Sequence, residues 1–146
     1  MYKFALLALI STFSFAATFE FVGPCKRGAL FKTEMQLKNG LTVGSATIDL
    51  LNNFGIAYKG SQRGINSIFD TPTGIDAMEV LSDSQMNAHG WCYSVNGKSP
   101  EVYPDEVPLG NGDHVMWWFG YAHYDSGEWL TQCEPTWKRA PSQFCN

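Results

Sequence analysis

The order of apolar and polar residues along the chain predicts several short strands and one helix. Apolar and polar residues partly alternate over residues 18–22, and residues 114–121 are rich in aromatic side chains, as is typical of strands. Apolar residues recur at three- and four-residue spacing over residues 45–58, which predicts a helix with Ser45 as its N-cap. Further strands are predicted at residues 30–37, 41–43, 65–69, 91–95, 99–103 and 127–133. One helix among short strands indicates an α+β fold.

Turn residues separate these segments. Asn39-Gly40 lies between two strand-like runs, and this pair tolerates the positive φ angles of a type I′ hairpin turn. Asn96-Gly97 carries the same signal after residues 91–95, and the glycines of residues 109–113 predict another turn. Residues 75–88 fit either a short helix or a loop. The sequence therefore predicts one domain without internal repeats or linkers.

The N-terminal residues have the pattern of a secretory signal. Lys3 precedes a nearly continuous apolar run over residues 4–15, and Ser14 and Ala16 are small residues at the positions that a signal peptidase reads. A membrane-spanning helix needs about twenty apolar residues, so a membrane anchor or a buried first helix is the weaker interpretation. We expect a signal peptide over residues 1–16 and a single domain over residues 17–146. This domain would be secreted, or periplasmic in a bacterium, with no membrane attachment after cleavage.

The charge and the cysteine content of the chain limit the kinds of partner and of site that we expect. The chain has 14 acidic and 10 basic residues, a net charge of −4, and no basic run, so nucleic acid is not an expected partner. Four cysteines in an exported chain predict two disulfides, and the sequence leaves all three pairings of Cys25, Cys92, Cys133 and Cys145 open. No Cys-x-x-Cys spacing is present, so no metal site is expected.

Acid–base chemistry has little support. His89, His114 and His123 show no close ligand spacing, and the acidic residues at positions 101, 105 and 106 lie in a proline-containing segment that we interpret as a solvated loop. A secreted hydrolase that uses His114 or the acidic residues is accordingly the least favoured hypothesis, and we expect no enzymatic activity and no catalytic residue.

Aromatic residues crowd the second half of the chain. Neighbours in a strand point to opposite faces, so Trp117 and Trp118 cannot face the same core. In one interpretation, one ring packs in the core and the other covers an edge or a disulfide. In the other, one of them joins Trp91 or Tyr93 in an exposed aromatic shelf for a flat or sugar-like ligand.

The motifs Gly-Trp-Cys-Tyr-Ser-Val-Asn-Gly-Lys at residues 90–98 and Leu-Gly-Asn-Gly-Asp-His-Val-Met-Trp-Trp at residues 109–118 resemble the DUF4430 domain family. That family is similar to the C-terminal β-grasp domain of transcobalamin and intrinsic factor. Residues 42–54 match the strand and the following helix with which the family's domain begins. Residues 64–69 match its next strand. The resemblance covers about residues 33–121. It implies a β-grasp-like mixed sheet packed on one helix and an exported, non-enzymatic module. In the vitamin B12 carriers this domain covers one face of the corrinoid, which makes a cobalamin-like molecule the cofactor to test.

We therefore predict a secreted, monomeric, disulfide-stapled module that binds a small flat ligand or a protein partner. An extracellular surface or matrix protein that acts through protein–protein contacts is the alternative. The expected ligand-binding residues are Trp91, Tyr93, Asn96, Trp117, Trp118 and Tyr121.

Overall fold

The structure is a computed structural model that describes residues 15–145. The elements are β1 (Ala16–Val22), β2 (Phe31–Gln36), α1 (Val43–Asn53), β3 (Tyr58–Ser61), β4 (Gly64–Ile68), β5 (Met78–Val80), β6 (Gln85–Val95), β7 (His114–Asp125) and β8 (Glu128–Pro135). Short 3₁₀ helices lie at Gly74–Ala77, Pro104–Glu106 and Thr136–Lys138. None of the helices in this part of the chain is long and apolar enough to cross a bilayer. The expected signal peptide lies outside the described residues except for its last two, and Ala16 is the first residue of β1.

The main sheet is mixed and has the strand order β2-β1-β7-β6-β5. The neighbouring strands β1 and β7 run parallel, with Thr18 opposite His114 and Val22 opposite Trp118. Every other pairing is antiparallel, and β8 pairs with the second half of β7, beyond the end of β1. β3 and β4 form a separate two-stranded sheet. The predicted α+β, β-grasp-like fold with one helix against a curled mixed sheet is confirmed.

The core lies between α1 and one face of the main sheet, which we call the inner face. Phe19 and Phe21 of β1 and Trp117 of β7 are almost completely buried against Leu50 and Leu51 of α1. Burying each of these large apolar side chains contributes about 1.5–3 kcal/mol. Because side chains alternate along a strand, the residues between them point to the opposite, outer face of the sheet.

The helix begins and ends earlier than the sequence indicated. Its N-cap is Thr42, whose side-chain oxygen accepts from the Ser45 backbone N–H at 3.2 Å, while the Ser45 hydroxyl accepts from the Thr42 N–H at 2.9 Å. Ser45 therefore lies inside the helix as the second member of a reciprocal capping box, and the prediction that it caps the helix is wrong. Phe54 closes the helix, and Gly55 follows with φ of +63°.

Two predicted hairpins are also wrong. Residues 41–43 form no strand after Asn39-Gly40, because the capping box starts a helix there and β2 pairs with β1 instead. Residues 99–103 do not return as a strand beside β6, whose two antiparallel partners are β7 and β5. Conversely, residues 58–61 form β3, where no strand was predicted. Residues 75–88 contain the end of a 3₁₀ helix, β5 and the start of β6.

Two disulfides connect distant parts of the chain, as predicted, and the structure selects their pairing. Cys25 pairs with Cys145, and Cys92 pairs with Cys133. The first bond ties the C-terminal segment to the end of β1. The second connects β6 to β8 across β7. No free cysteine remains among residues 15–145.

Candidate functional site

The strands β6 and β7 bring the predicted site residues onto one ladder. Trp91 lies opposite Phe119, Tyr93 opposite Trp117, and Cys92 opposite Trp118. Alternation places Trp91, Tyr93 and Trp117 on the inner face and Trp118 on the outer face. The six predicted residues therefore do not form a single surface.

Trp117 and Trp118 are both largely covered. Trp117 is 1% exposed, and its Nε1 donates to Thr47 Oγ1 of α1 at 3.1 Å. Trp118 is 9% exposed, and its Nε1 donates to the backbone oxygen of Cys133 at 2.9 Å. Trp117 is thus a core residue that presents no ring face to solvent, so it cannot form the exposed shelf considered above. Trp118 covers the outer face beside the Cys92–Cys133 disulfide.

Tyr93 and Asn96 make contacts that support the fold. The Tyr93 ring stacks on Trp117 with centroids 5.2 Å apart, and its hydroxyl donates to the backbone oxygen of Val102 at 2.6 Å. Burial, reinforced by the nearby carboxylates Glu106 and Asp105, raises the pKa of the Tyr93 phenol. Asn96 has φ of +52° and binds Asp113 through its side chain, so it stabilises a turn.

Trp91 lines a surface hollow in a fixed orientation. Its Nε1 donates to Thr71 Oγ1 at 2.8 Å, and its ring meets Phe119 edge-on at 5.7 Å between centroids. The hollow next to it has a volume of about 380 Å³ and is lined by Lys59, Ile65, Asn66, Thr73, Gly74, His89, Gly90 and Trp91. An indole such as that of Trp91, held in a fixed orientation beside open space, is a feature of sites that bind planar or apolar groups.

A second hollow, of about 260 Å³, adjoins the same segment. It is lined by residues 88–92 and 120–122 together with Gln132 and Cys133. His89, Gly90 and Trp91 line both hollows, and Tyr121 lines the second. We call the two hollows together the Trp91 site. Of the six predicted residues, the structure brings only Trp91 and Tyr121 to it.

His89 belongs to the Trp91 site, although it was not among the predicted ligand-binding residues. Its Nδ1 lies 2.9 Å from the backbone oxygen of Ala77, and burial lowers the pKa of the imidazole. A neutral ring that donates from Nδ1 to this carbonyl leaves Nε2 as an acceptor, and Nε2 is buried without a hydrogen-bond partner in residues 15–145. The signal was available, since His89 precedes Trp91 by two residues and so shares its face of the strand.

The other titratable candidates remain apart. His114 Nε2 lies 3.1 Å from Glu20 Oε2, and His123 Nδ1 lies 2.8 Å from Asn87 Oδ1. Asp105 forms a long ion pair with Arg63 at 4.0 Å. Residues 15–145 contain no group of three or more His, Cys, Asp or Glu side chains with the geometry to hold a metal ion.

Fold and site together define a class of protein: a disulfide-stapled, β-grasp-like domain with surface hollows beside an ordered indole. The model of one family, described as a domain of unknown function (DUF4430), matches residues 44–121. Because this match spans more than half of the 146 residues, the chain belongs to the DUF4430 family. The match starts later than the resemblance noted from residue 33, and it ends at the same residue. No curated protein and no solved structure matches the chain significantly.

Proposed function

We propose that this protein is an exported, non-catalytic binding domain whose ligand occupies the Trp91 site. The observation that carries the proposal is that two hollows share the segment from His89 to Trp91 and that Thr71 and Phe119 hold the Trp91 ring in place. A ring that is already ordered loses little side-chain entropy when a ligand packs on it. The two disulfides support export, since such bonds persist in oxidising compartments.

The proposed ligand is a small flat molecule. The larger hollow lies within the range of about 300–1,000 Å³ that is usual for small-molecule sites. Lys59, Asn66 and Thr73 supply polar groups at its rim, which would orient the ligand. A cobalamin-like molecule, which the resemblance implies, is the first compound to test, because its broad ring system offers a flat face that can pack on the ordered Trp91 indole.

The proposal is tested by titrating the oxidised protein with cobalamin and with a set of planar heteroaromatic compounds, followed by ¹H–¹⁵N NMR. We expect shifts of the amide signals of His89, Gly90 and Tyr121 and of the Trp91 indole signal. Trp91→Ala should weaken binding at least about tenfold, as removal of a central aromatic residue does at other binding sites.

Trp129 provides the matched control. It is 47% exposed on β8 and contacts Tyr124, away from both hollows. Trp129→Ala should leave the affinity unchanged. Equal binding by the two variants, or ligand-induced shifts confined to other surfaces, would refute the assignment of the Trp91 site.

A protein–protein contact is the second candidate function. Leu30 and Phe54 are 58% and 56% exposed, and Phe54 packs edge-on against Phe31 at the open edge of β2. Apolar patches of this kind mark interaction sites. If no small molecule shifts any signal, and if the apparent mass rises with concentration in the wild type but not in Phe54→Ser, this second candidate replaces the first.

A further inference from the structure

The outer face of the sheet carries another concave surface. A hollow of about 260 Å³ is lined by Ser94, Gly97, Ser99, His114, Met116, Trp118, Pro135 and Trp137. A shallower one, of about 470 Å³, is lined by Thr18, Lys32, Thr33, Glu34 and His114. His114 lines both, so we treat them as one outer groove. This groove shares no lining residue with the Trp91 site.

One end of the outer groove is aromatic and ordered. The bond from Trp118 Nε1 to the Cys133 backbone fixes the Trp118 indole. Trp137 comes from the 3₁₀ helix that follows β8, and Pro135 lies beside it. With Met116, these side chains form an apolar wall, in which the Trp118 indole is already ordered before a ligand binds.

The floor of the groove holds an unused hydroxyl. Ser94 lies opposite Met116 in the β6–β7 ladder and is only 6% exposed. Its side chain makes no hydrogen bond with any other group in residues 15–145, although it lines the hollow. The Ser94 Oγ opens to the hollow and has no partner among these residues, so it is available to donate to or accept from a ligand that packs there.

The other end of the groove is polar. Glu20 Oε2 accepts from Lys32 Nζ at 3.2 Å and lies 3.1 Å from His114 Nε2. Thr18 and Glu34 lie next to this cluster. The arrangement offers both donors and acceptors, and His114 connects it to the aromatic end because it lines both hollows.

We propose that the outer groove binds a neutral saccharide chain. A sugar ring has an apolar face of C–H groups, which packs on an indole, and a rim of hydroxyls, each of which both donates and accepts. Such a ligand would pack on the aromatic end and hydrogen-bond with Ser94 and with the polar side chains around His114 at once. A planar heteroaromatic molecule has no comparable rim of hydroxyls. A polyanionic chain is disfavoured by Glu20 and Glu34 and by the net charge of −4.

The test uses the oxidised wild-type protein, labelled for NMR and titrated separately with cellotetraose, chitotetraose and maltotetraose. With at least one of them, we expect the amide signals of Ser94, Met116 and Trp118 and the indole signal of Trp137 to shift, while Trp91 does not. Ser94→Ala and Trp137→Ala should each weaken binding at least about fivefold, and Trp129→Ala should not.

Three results would overturn the proposal: no shift in the outer groove with any of the saccharides up to about 10 mM, shifts that fall at Trp91 instead, or wild-type affinity in both groove variants. If Trp137→Ala does not fold, as judged from its amide spectrum, Ser94→Ala and the wild-type shift map still decide the question. Because the two sites share no residue, loss of one proposal leaves the other standing.

Discussion

Asn96 joins two turns, and its replacement tests whether it acts in folding or in binding. Its Nδ2 donates to Asp113 Oδ1 at 2.8 Å, and its Oδ1 accepts from the His114 N–H at 2.9 Å. Asp113 also accepts from the Gly110 N–H at 2.7 Å. The side chain of Asn96 therefore connects the turn after β6 to the turn before β7, while its own backbone has φ of +52°.

The expected cost of Asn96→Ala has two parts. Two exposed side-chain hydrogen bonds are lost, each with a net contribution of about 0.5–1 kcal/mol. Alanine in the left-handed region costs a further ~1 kcal/mol, because its Cβ crowds the following carbonyl oxygen. Asn96→Ala should thus lower the free energy of unfolding by about 2–3 kcal/mol. Asn96→Gly loses the same hydrogen bonds without the steric penalty and should cost about 1 kcal/mol less than alanine.

The assay is urea unfolding of the oxidised variants, followed by far-UV circular dichroism and analysed at constant m-value. If Asn96→Ala and Asn96→Gly were equally stable, the argument from the left-handed backbone would be refuted. If both matched the wild type, the side-chain bonds would contribute nothing. The folded Asn96→Gly variant should bind a ligand of the Trp91 site with wild-type affinity. A loss of that affinity would show that Asn96 takes part in ligand binding.

Three further predictions follow from individual contacts. Replacing Cys92 and Cys133 by serine should lower the free energy of unfolding by about 4 kcal/mol, the loop-closure value for residues 41 apart in sequence, and urea midpoints check this. Thr42→Ala should cost ~1 kcal/mol through loss of the helix N-cap, whereas Thr42→Ser should be nearly neutral in the same assay. Because the pKa of His89 is lowered in the folded state, the unfolded state binds the proton first as the pH falls below 6.5, so this contribution to stability is present above that pH and lost below it. His89→Gln should therefore lose less stability than the wild type between about pH 7.5 and about pH 5.5, and equal losses would contradict the assignment.

The two Asn-Gly pairs show how far local sequence signals reach. Asn96 and Gly97 adopt the expected positive φ angles, +52° and +77°, and Val95 bridges to Lys98. At Asn39-Gly40 only the glycine has a positive φ, and the chain continues into α1. The two pairs differ in the residues that follow them. After Asn39-Gly40, Thr42 and Ser45 form a capping box that stabilises the start of a helix. The Thr42–Ser45 capping box therefore outweighs the Asn-Gly signal, and residues 41–43 lead into a helix instead of a second strand.

The candidate site was predicted only in part, for a related reason. Aromatic content marked β6 and β7 correctly, and alternation separated Trp117 from Trp118. Whether an alternate position is buried depends on what covers each face, and α1 covers the inner face over Trp117, while the segment from Cys133 to Trp137 covers the outer face near Trp118. These covering segments lie 70 and 15 residues away in sequence from the rings that they contact, so no local pattern reveals them.

The sequence by itself determined the features that depend on near neighbours: the alternation of the strands, the apolar stripe of the helix, the positive-φ turn at Asn96-Gly97 and the presence of two disulfides. Only the tertiary structure decided the parallel pairing of β1 with β7, the choice of disulfide partners and the surfaces that remain open. The physical reason is that local preferences act over a few residues, whereas strand pairing and burial are set by contacts between segments that meet only when the whole chain is packed.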